Sequence, residues 1–186
     1  ADGVSPLGVA CASGNWRLAK FLLERGARPE PAGGQPVLLA AAGSEEDDPA
    51  GVLLLLKHKA KVDARDAAGR TALHEAALAG HVEIAAALLA AGANAAAADR
   101  LGRTPLLEAA RGGRLGVLER LLEHLPRGGA AEAAALDAHG RNALALAAKA
   151  EPLAAVKAMA TTRVVAVGKR MVVVVRKVQM MSIQMR

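Results

Sequence analysis

The chain repeats itself every 33 residues. Asp66 returns as Asp99, Gly69 as Gly102, Arg70 as Arg103, Thr71 as Thr104, Leu73 as Leu106, Glu75 as Glu108, and Ala76-Ala77 as Ala109-Ala110. A period of this length marks one small supersecondary unit. Such a unit is too thin to bury an apolar face alone and is stable only against neighbours of its own kind. The fold is therefore expected to grow by stacking, with no single central core.

Residues 66–98 show what each unit is. Asp66-Ala67-Ala68-Gly69-Arg70 has the composition of a turn. Thr71 then stands where a helix N-cap belongs, with its hydroxyl placed to accept a free backbone N–H. Ala72 to Ala79 are nearly all good helix formers, and Gly80 ends them by taking a left-handed conformation. A second helix is expected from about His81 to Ala91, with Val82, Ala85, Leu88 and Leu89 at helical spacing and Gly92 as its stop. In the next unit Thr104-Pro105 strengthens the start, because proline suits the first helical position.

Fainter copies flank these two. Ser5-Pro6-Leu7, Gly14-Asn15, Leu22-Leu23 and Gly26-Ala27 align two periods upstream. Gln35 to Ala41 begins a second unit with an acidic insertion, Gly43 to Pro49, ahead of an apolar helix at Val52 to Leu56. Lys59 occupies the place of Gly92 there; a left-handed Lys costs roughly 1 kcal/mol more than Gly, so this unit is expected to fray first. A longer connection, Leu125 to Glu132, with an alanine-rich half expected to be helical, precedes a fifth unit opening Asp137-Ala138-His139-Gly140-Arg141-Asn142. That unit then decays, with Glu151-Pro152 in place of Gly80-His81.

The runs Gly-Arg-Thr-Ala-Leu-His-Glu-Ala-Ala and Gly-Arg-Thr-Pro-Leu-Leu-Glu-Ala-Ala, with Gly80-His81, Leu88-Leu89 and Gly92-Ala93, resemble the ankyrin repeat family. The resemblance implies an all-α solenoid of helix-turn-helix units with β-turn fingers. It would occupy residues 1–160 in repeats of approximately 1–31, 32–65, 66–98, 99–136 and 137–160. Ala1, which is not Met, reads as a cut edge of a longer array.

Composition agrees with thin, closely packed helices. There is no Tyr, one Phe (Phe21) and one Trp (Trp16), so the core must be Leu, Val and Ala. Cys11 stands alone, which rules out an internal disulfide framework and suits a reducing, cytoplasmic compartment, although a secreted effector fits as well. No apolar run reaches membrane-spanning length.

The net charge of +6 is concentrated at one end. Residues 161–186 hold six of the 24 basic residues and none of the 18 acidic ones, which leaves the first 160 formally neutral. Eight valines and four of the five methionines also lie there, and the runs around Gly168-Lys169-Arg170 predict a β-hairpin. This tail reads in three ways: an unusual cap on the last repeat, a basic adhesion segment for an anionic membrane or nucleic acid, or a segment foreign to the array, as a shifted reading frame would produce.

No constellation supports catalysis, a metal or a cofactor. His74 and His81 are the nearest pair of histidines, and their spacing, broken by Gly80, is not that of metal ligands. The resemblance implies that His74 hydrogen-bonds backbone in the turn region. Cys11 aligns with a small core alanine and reads as a packed thiol. Glu75 and Glu108 lack a neighbour that would activate them as acid and base. Gly112-Gly113 and Gly128-Gly129 follow no strand and carry no Lys-Ser/Thr, so they are not phosphate loops.

What remains is a binding surface. The resemblance implies a non-catalytic scaffold for protein–protein interaction. Its fingertips and exposed first-helix positions would line a concave face. Those positions are Ala67, Ala68, Arg70, Leu78 and Ala79 in the third repeat, and Arg100, Leu101, Arg103, Arg111 and Gly112 in the fourth. In the fifth they are Ala138, His139, Arg141, Lys149 and Ala150. Arginine beside apolar surface is common at binding hot spots, so the expected partner is a protein with an acidic and apolar patch. Arg70, Arg103 and Arg141 would form a column there, or would pair with Asp66, Asp99 and Asp137. Reversing the charge of Arg70 and Arg103 is expected to weaken binding and spare the fold. Two other readings stay open: adhesion through the basic tail, and a regulatory or targeting module of a larger protein or enzyme.

Overall fold

The computed structural model describes residues 5–30, 35–125, 137–143 and 146. Within them eight α-helices follow one another in pairs: α1 (Pro6–Ala12) and α2 (Trp16–Glu24), α3 (Val37–Ala42) and α4 (Ala50–Lys57), α5 (Ala72–Ala79) and α6 (Val82–Ala90), α7 (Pro105–Arg111) and α8 (Leu115–His124). The first helices stack in one layer, α1 on α3 on α5 on α7, and the second helices in another, α2 on α4 on α6 on α8. No strand occurs among the described residues. The architecture is the all-α solenoid expected from the repeats. The predicted hairpin at 161–186 and the predicted helix in 125–132 beyond Leu125 lie outside the described residues.

The helix ends follow the local chemistry. Ser5 Oγ accepts the Gly8 N–H at 3.0 Å, Asn15 Oδ1 accepts the Leu18 N–H at 3.1 Å, and Thr104 Oγ1 accepts the Leu107 N–H at 3.3 Å. At Thr71 the backbone N–H is held by the ring of His74, whose Nδ1 accepts it at 3.1 Å. Gly80 closes α5 at φ +92, a conformation that favours glycine, and a Cβ there would also lie 2.7 Å from the Arg114 side chain. The sixth helix starts one residue later than expected, because His81 is its N-cap.

The core is aliphatic and runs through every layer. Leu7, Leu38, Leu55, Leu73, Ile84, Leu88, Leu106 and Leu118 are all fully buried, interleaved with Ala10, Ala41, Ala76 and Ala109. Alanine at the helix contacts lets the axes approach closely, and leucine fills the space between layers. Trp16 packs directly over Gly51, where any Cβ would meet the indole. Cys11 is buried within this core, and burial pushes its thiol up to about 11, consistent with a packing role.

The second repeat has the irregularities its sequence announces. Lys59 is left-handed, with φ 66. Its acidic insertion is a working part of the stack. Asp48 Oδ1 accepts the Ala50 N–H at 2.9 Å, and Asp47 reaches into the next repeat to accept the N–H groups of Glu83 and Ile84, both at 3.0 Å. Asp47 thus caps α6 from the preceding repeat. His81, which holds the N-cap position itself, turns its Nδ1 to the Ala42 carbonyl at 3.1 Å.

Candidate functional site: the finger and inner-helix face

Each finger is folded around one aspartate. Asp66 Oδ1 accepts the N–H groups of Ala68 and Arg70, both at 2.8 Å, while its Oδ2 takes Arg70 Nε at 3.0 Å. Asp99 does the same with Leu101 and Arg103, and Asp137 with His139 and Arg141. The glycine two residues before each cap completes a turn closed by Asp66 N–H to Arg70 C=O, Asp99 N–H to Arg103 C=O and Asp137 N–H to Arg141 C=O. Successive fingers are stitched at their tips. Arg100 N–H donates to Ala68 C=O at 3.0 Å and Ala138 N–H to Leu101 C=O at 2.9 Å. Arg65 adds a bond from its Nη1 to Ala98 C=O at 2.7 Å.

The three column arginines point onto their own acids. Arg70 bridges Asp66 at 2.9 Å and Glu75 at 2.8 Å. Arg103 bridges Asp99 at 2.7 Å and lies 2.9 Å from Glu108 Oε1, a contact out of line for a hydrogen bond. Glu108 is almost fully buried, and its other oxygen takes Arg111 Nη2 at 2.6 Å. Arg141 bridges Asp137 at 2.7 Å. Leu146 stands in the fifth repeat where Glu75 and Glu108 stand in the third and fourth, so this acid is replaced by an apolar residue there.

The electrostatics follow from this geometry. Burial raises the Asp66 and Asp99 carboxyls, but the backbone and guanidinium hydrogen bonds of Arg70 and Arg103 outweigh it, and both end below the usual aspartate range. The Arg141 guanidinium hydrogen bond, with two backbone N–H groups, holds Asp137 at about 2. Burial raises Glu75, and Arg70 offsets only part of it. Burial lowers His74, whose Nδ1 accepts from the Thr71 N–H and whose Nε2 lies 2.9 Å from Arg103 C=O. That pairing requires a neutral ring with its proton on Nε2. Substituting Glu for Arg70 and Arg103 would set a new carboxylate against two existing ones in each finger. The geometry therefore argues against that pair as neutral to the fold.

The expected face residues divide by exposure. Ala67, Ala68, Arg100, Leu101, Arg111, Gly112, Ala138, His139 and Arg141 are exposed, and Arg70, Leu78, Ala79 and Arg103 are half-buried. Lys149 and Ala150 lie outside the described residues. Sequence reasoning missed Arg114. It is exposed, its Nε donates to Leu78 C=O at 3.2 Å, and its stem lies over Gly80. The available signal was its place one period after His81, a position that reaches back to the preceding repeat in both cases. Among the described residues no group of three or more His, Cys, Asp or Glu could hold a metal ion. No described helix is long and apolar enough to cross a membrane.

A model of one protein family, described as ankyrin repeats (3 copies), matches residues 7–99 and 38–133. A search of curated proteins finds no match. The family match spans most of the chain, including all eight helices, and agrees with the finger turns and the two stacked helical layers: the chain belongs to the ankyrin repeat family, whose members generally mediate protein–protein interaction.

Proposed function

We propose that this chain is a non-catalytic scaffold that binds an acidic and apolar segment of a partner protein through the finger and inner-helix face of repeats three to five. One observation carries the reading. Leu101 is 45% exposed at a fingertip, between Arg100 and the His139 finger, with Arg111 and Arg114 exposed one layer further in. In the fourth repeat Arg103 pairs with Asp99 and Glu108 and Arg111 with Glu108, while Arg100 and Arg114 form no ion pair among the described residues, so positive charge is left over beside a leucine. The tip bonds and the aspartate turns hold the face in place before any partner arrives, which keeps the ordering cost of binding low.

The test is selection of displayed peptides on the whole chain, followed by affinity measurement against Arg100→Glu/Leu101→Ala. Neither side chain takes part in the finger ion pairs. Enriched peptides should carry Asp or Glu beside Leu, Phe or Met, and the double variant should bind them at least about tenfold more weakly. Peptides without acidic enrichment, or equal affinity for the variant, would overturn the reading. Adhesion through residues 161–186 is the competing reading, favoured by their six basic residues without an acid. Deleting them would abolish a strongly salt-dependent binding to anionic vesicles or nucleic acid and would leave peptide binding unchanged.

A further inference from the structure

The turn between α7 and α8 differs from its counterparts in how the second helix is opened. In the first repeat the opening residue is Asn15, whose Oδ1 caps Leu18. In the third it is His81, and the cap comes from outside: Asp47 of the preceding repeat sets one carboxylate oxygen on the Glu83 N–H and the other on the Ile84 N–H, both at 3.0 Å. One period on, the opening residue is Arg114, which makes no side-chain cap, and the corresponding amides are those of Gly116 and Val117. Neither amide has an acceptor among the described residues. Val117 is fully buried, and a buried backbone donor is almost always paired. At this register the preceding repeat shows the pairing group to be a carboxylate.

Arg114 brings charge to the same place. Its stem lies over two glycines: a Cβ on Gly80 would stand 2.7 Å from its Cδ, and one on Gly112 3.1 Å from its Cγ. Its Nε is held by the Leu78 carbonyl at 3.2 Å, and its two Nη groups have no partner among the described residues. The acids of this repeat are committed elsewhere, Asp99 to Arg103, and Glu108 to Arg103 and Arg111. The third repeat offers no substitute for Asp47, because α6 follows α5 with only Gly80 and His81 between them. An arginine at the start of a helix also opposes the positive end of the helix dipole. A carboxylate bound there relieves that opposition and pairs the amides.

We propose that this turn is the seat of the partner's acidic residue, whose carboxylate lies between the Arg114 guanidinium and the Gly116 and Val117 N–H groups and fills the place that Asp47 fills one repeat earlier. The proposal rests on the finger-face reading for its partner and adds to it the position of the acid. Leu101 stands at a fingertip before α7 and Arg114 beyond its far end, with the seven residues of the helix between them. That helix is about 10 Å long at 1.5 Å per residue. An extended segment, rising about 3.3 Å per residue, needs about three residues to cover it, and the finger and turn add to the span. The acid of the partner therefore stands at least about three residues from its apolar anchor.

The test has two arms, both on the whole chain and on variants checked for native circular dichroism. In the first, proton–nitrogen correlation spectra are followed through a titration with sodium acetate, with ionic strength held constant by chloride. The Gly116 and Val117 amide protons should move downfield and saturate. Arg114→Gln should weaken acetate binding at least about tenfold. Arg114→Asp, which supplies its own carboxylate to the same amides, should show them downfield from the start and unmoved by acetate. Arg100→Glu/Leu101→Ala should bind acetate as the wild type does. In the second arm, each enriched acidic peptide is remade with its aspartates and glutamates replaced in turn by asparagine and glutamine. One replacement should cost at least about tenfold against the wild type and less than about twofold against Arg114→Gln. Amides unmoved by acetate, equal acetate affinity for Arg114→Gln, or peptide acids whose loss costs the same in both proteins would overturn the seat. So would phosphate bound more than about tenfold more tightly than acetate, which would assign the place to a phosphorylated residue. Failure of the finger-face reading looks different: acetate behaves as stated but no acidic peptide is enriched, and the partner assigned to the seat falls with that reading.

Discussion

His74 ties three parts of the array together: the cap of its own helix, the Thr71 hydroxyl at 2.9 Å, and the Arg103 carbonyl of the next repeat. The cap bond, in which Nδ1 accepts the Thr71 N–H, needs the neutral ring. Burial lowers its pKa from the usual 6.5 in the fold, while the unfolded chain keeps the ordinary value. The contribution is complete above about pH 6.5 and is lost as pH falls from there through the folded value. Urea midpoints should therefore drop more steeply with acidification in the wild type than in His74→Leu, the residue that repeat four carries at this register as Leu107. Parallel curves would show that the ring does not titrate with folding. A second residue-scale prediction concerns Lys59, held at φ 66 where Gly26 and Gly92 stand one period to either side. Lys59→Gly should raise unfolding free energy by about 1 kcal/mol in urea titrations, since the left-handed strain disappears. If so, the proposed early fraying of repeat two, read as hydrogen exchange at Leu54 to Ala60, should slow with it.

At the scale of elements, the caps show what could be read in the chain and what could not. Ser5, Thr71 and Thr104 were legible because each lies next to the helix it begins. The glycine stops were legible for the same reason. Asp47 was not. It sits in an insertion that breaks the period, and the helix it caps begins 35 residues later, beyond the reach of any local rule. Only stacking brings the two together. Asp47→Ala should cost about 0.5–2 kcal/mol, the usual worth of an N-cap, read in urea unfolding. The amides of Glu83 and Ile84 should lose exchange protection while those of α2 keep theirs. Unchanged protection at both amides would mean that the cap adds nothing.

At the scale of the molecule, the period disclosed the solenoid, its helix pairs and its finger face. It left open whether the column arginines face outward or inward, because both choices use the same Asp-x-x-Gly-Arg spacing. Packing decides it: each Asp converges on its guanidinium, joined by Glu75 and Glu108 in the third and fourth repeats, so the column is chiefly a frame for the fingers. Arg103→Glu should accordingly unfold or severely destabilise the chain, with thermal melting by circular dichroism well below that of Arg100→Glu. Equal melting of the two variants would return the column to the solvent. Of the exposed residues on this face the proposed site draws on Arg100, Leu101, Arg111 and Arg114, and only two of those four lie in the fingertips themselves.

The outer edge of the stack is fastened differently from the finger edge. Glu30 Oε1 accepts the Lys61 N–H at 2.6 Å, and one period on Asp63 Oδ1 accepts the Asn94 N–H at 3.0 Å. One period further stands Ala96, which has no side-chain acceptor. Between repeats three and four the finger edge is closed by the Arg100 bond to Ala68, while among the described residues no such carboxylate clasp closes the outer edge. The joint is thus asymmetric. Under a bending load it should open on the outside and pivot about the fingers, as a spine flexes about its intact ligament, and a partner gripped near Leu101 would sit at the fulcrum, where the surface moves least.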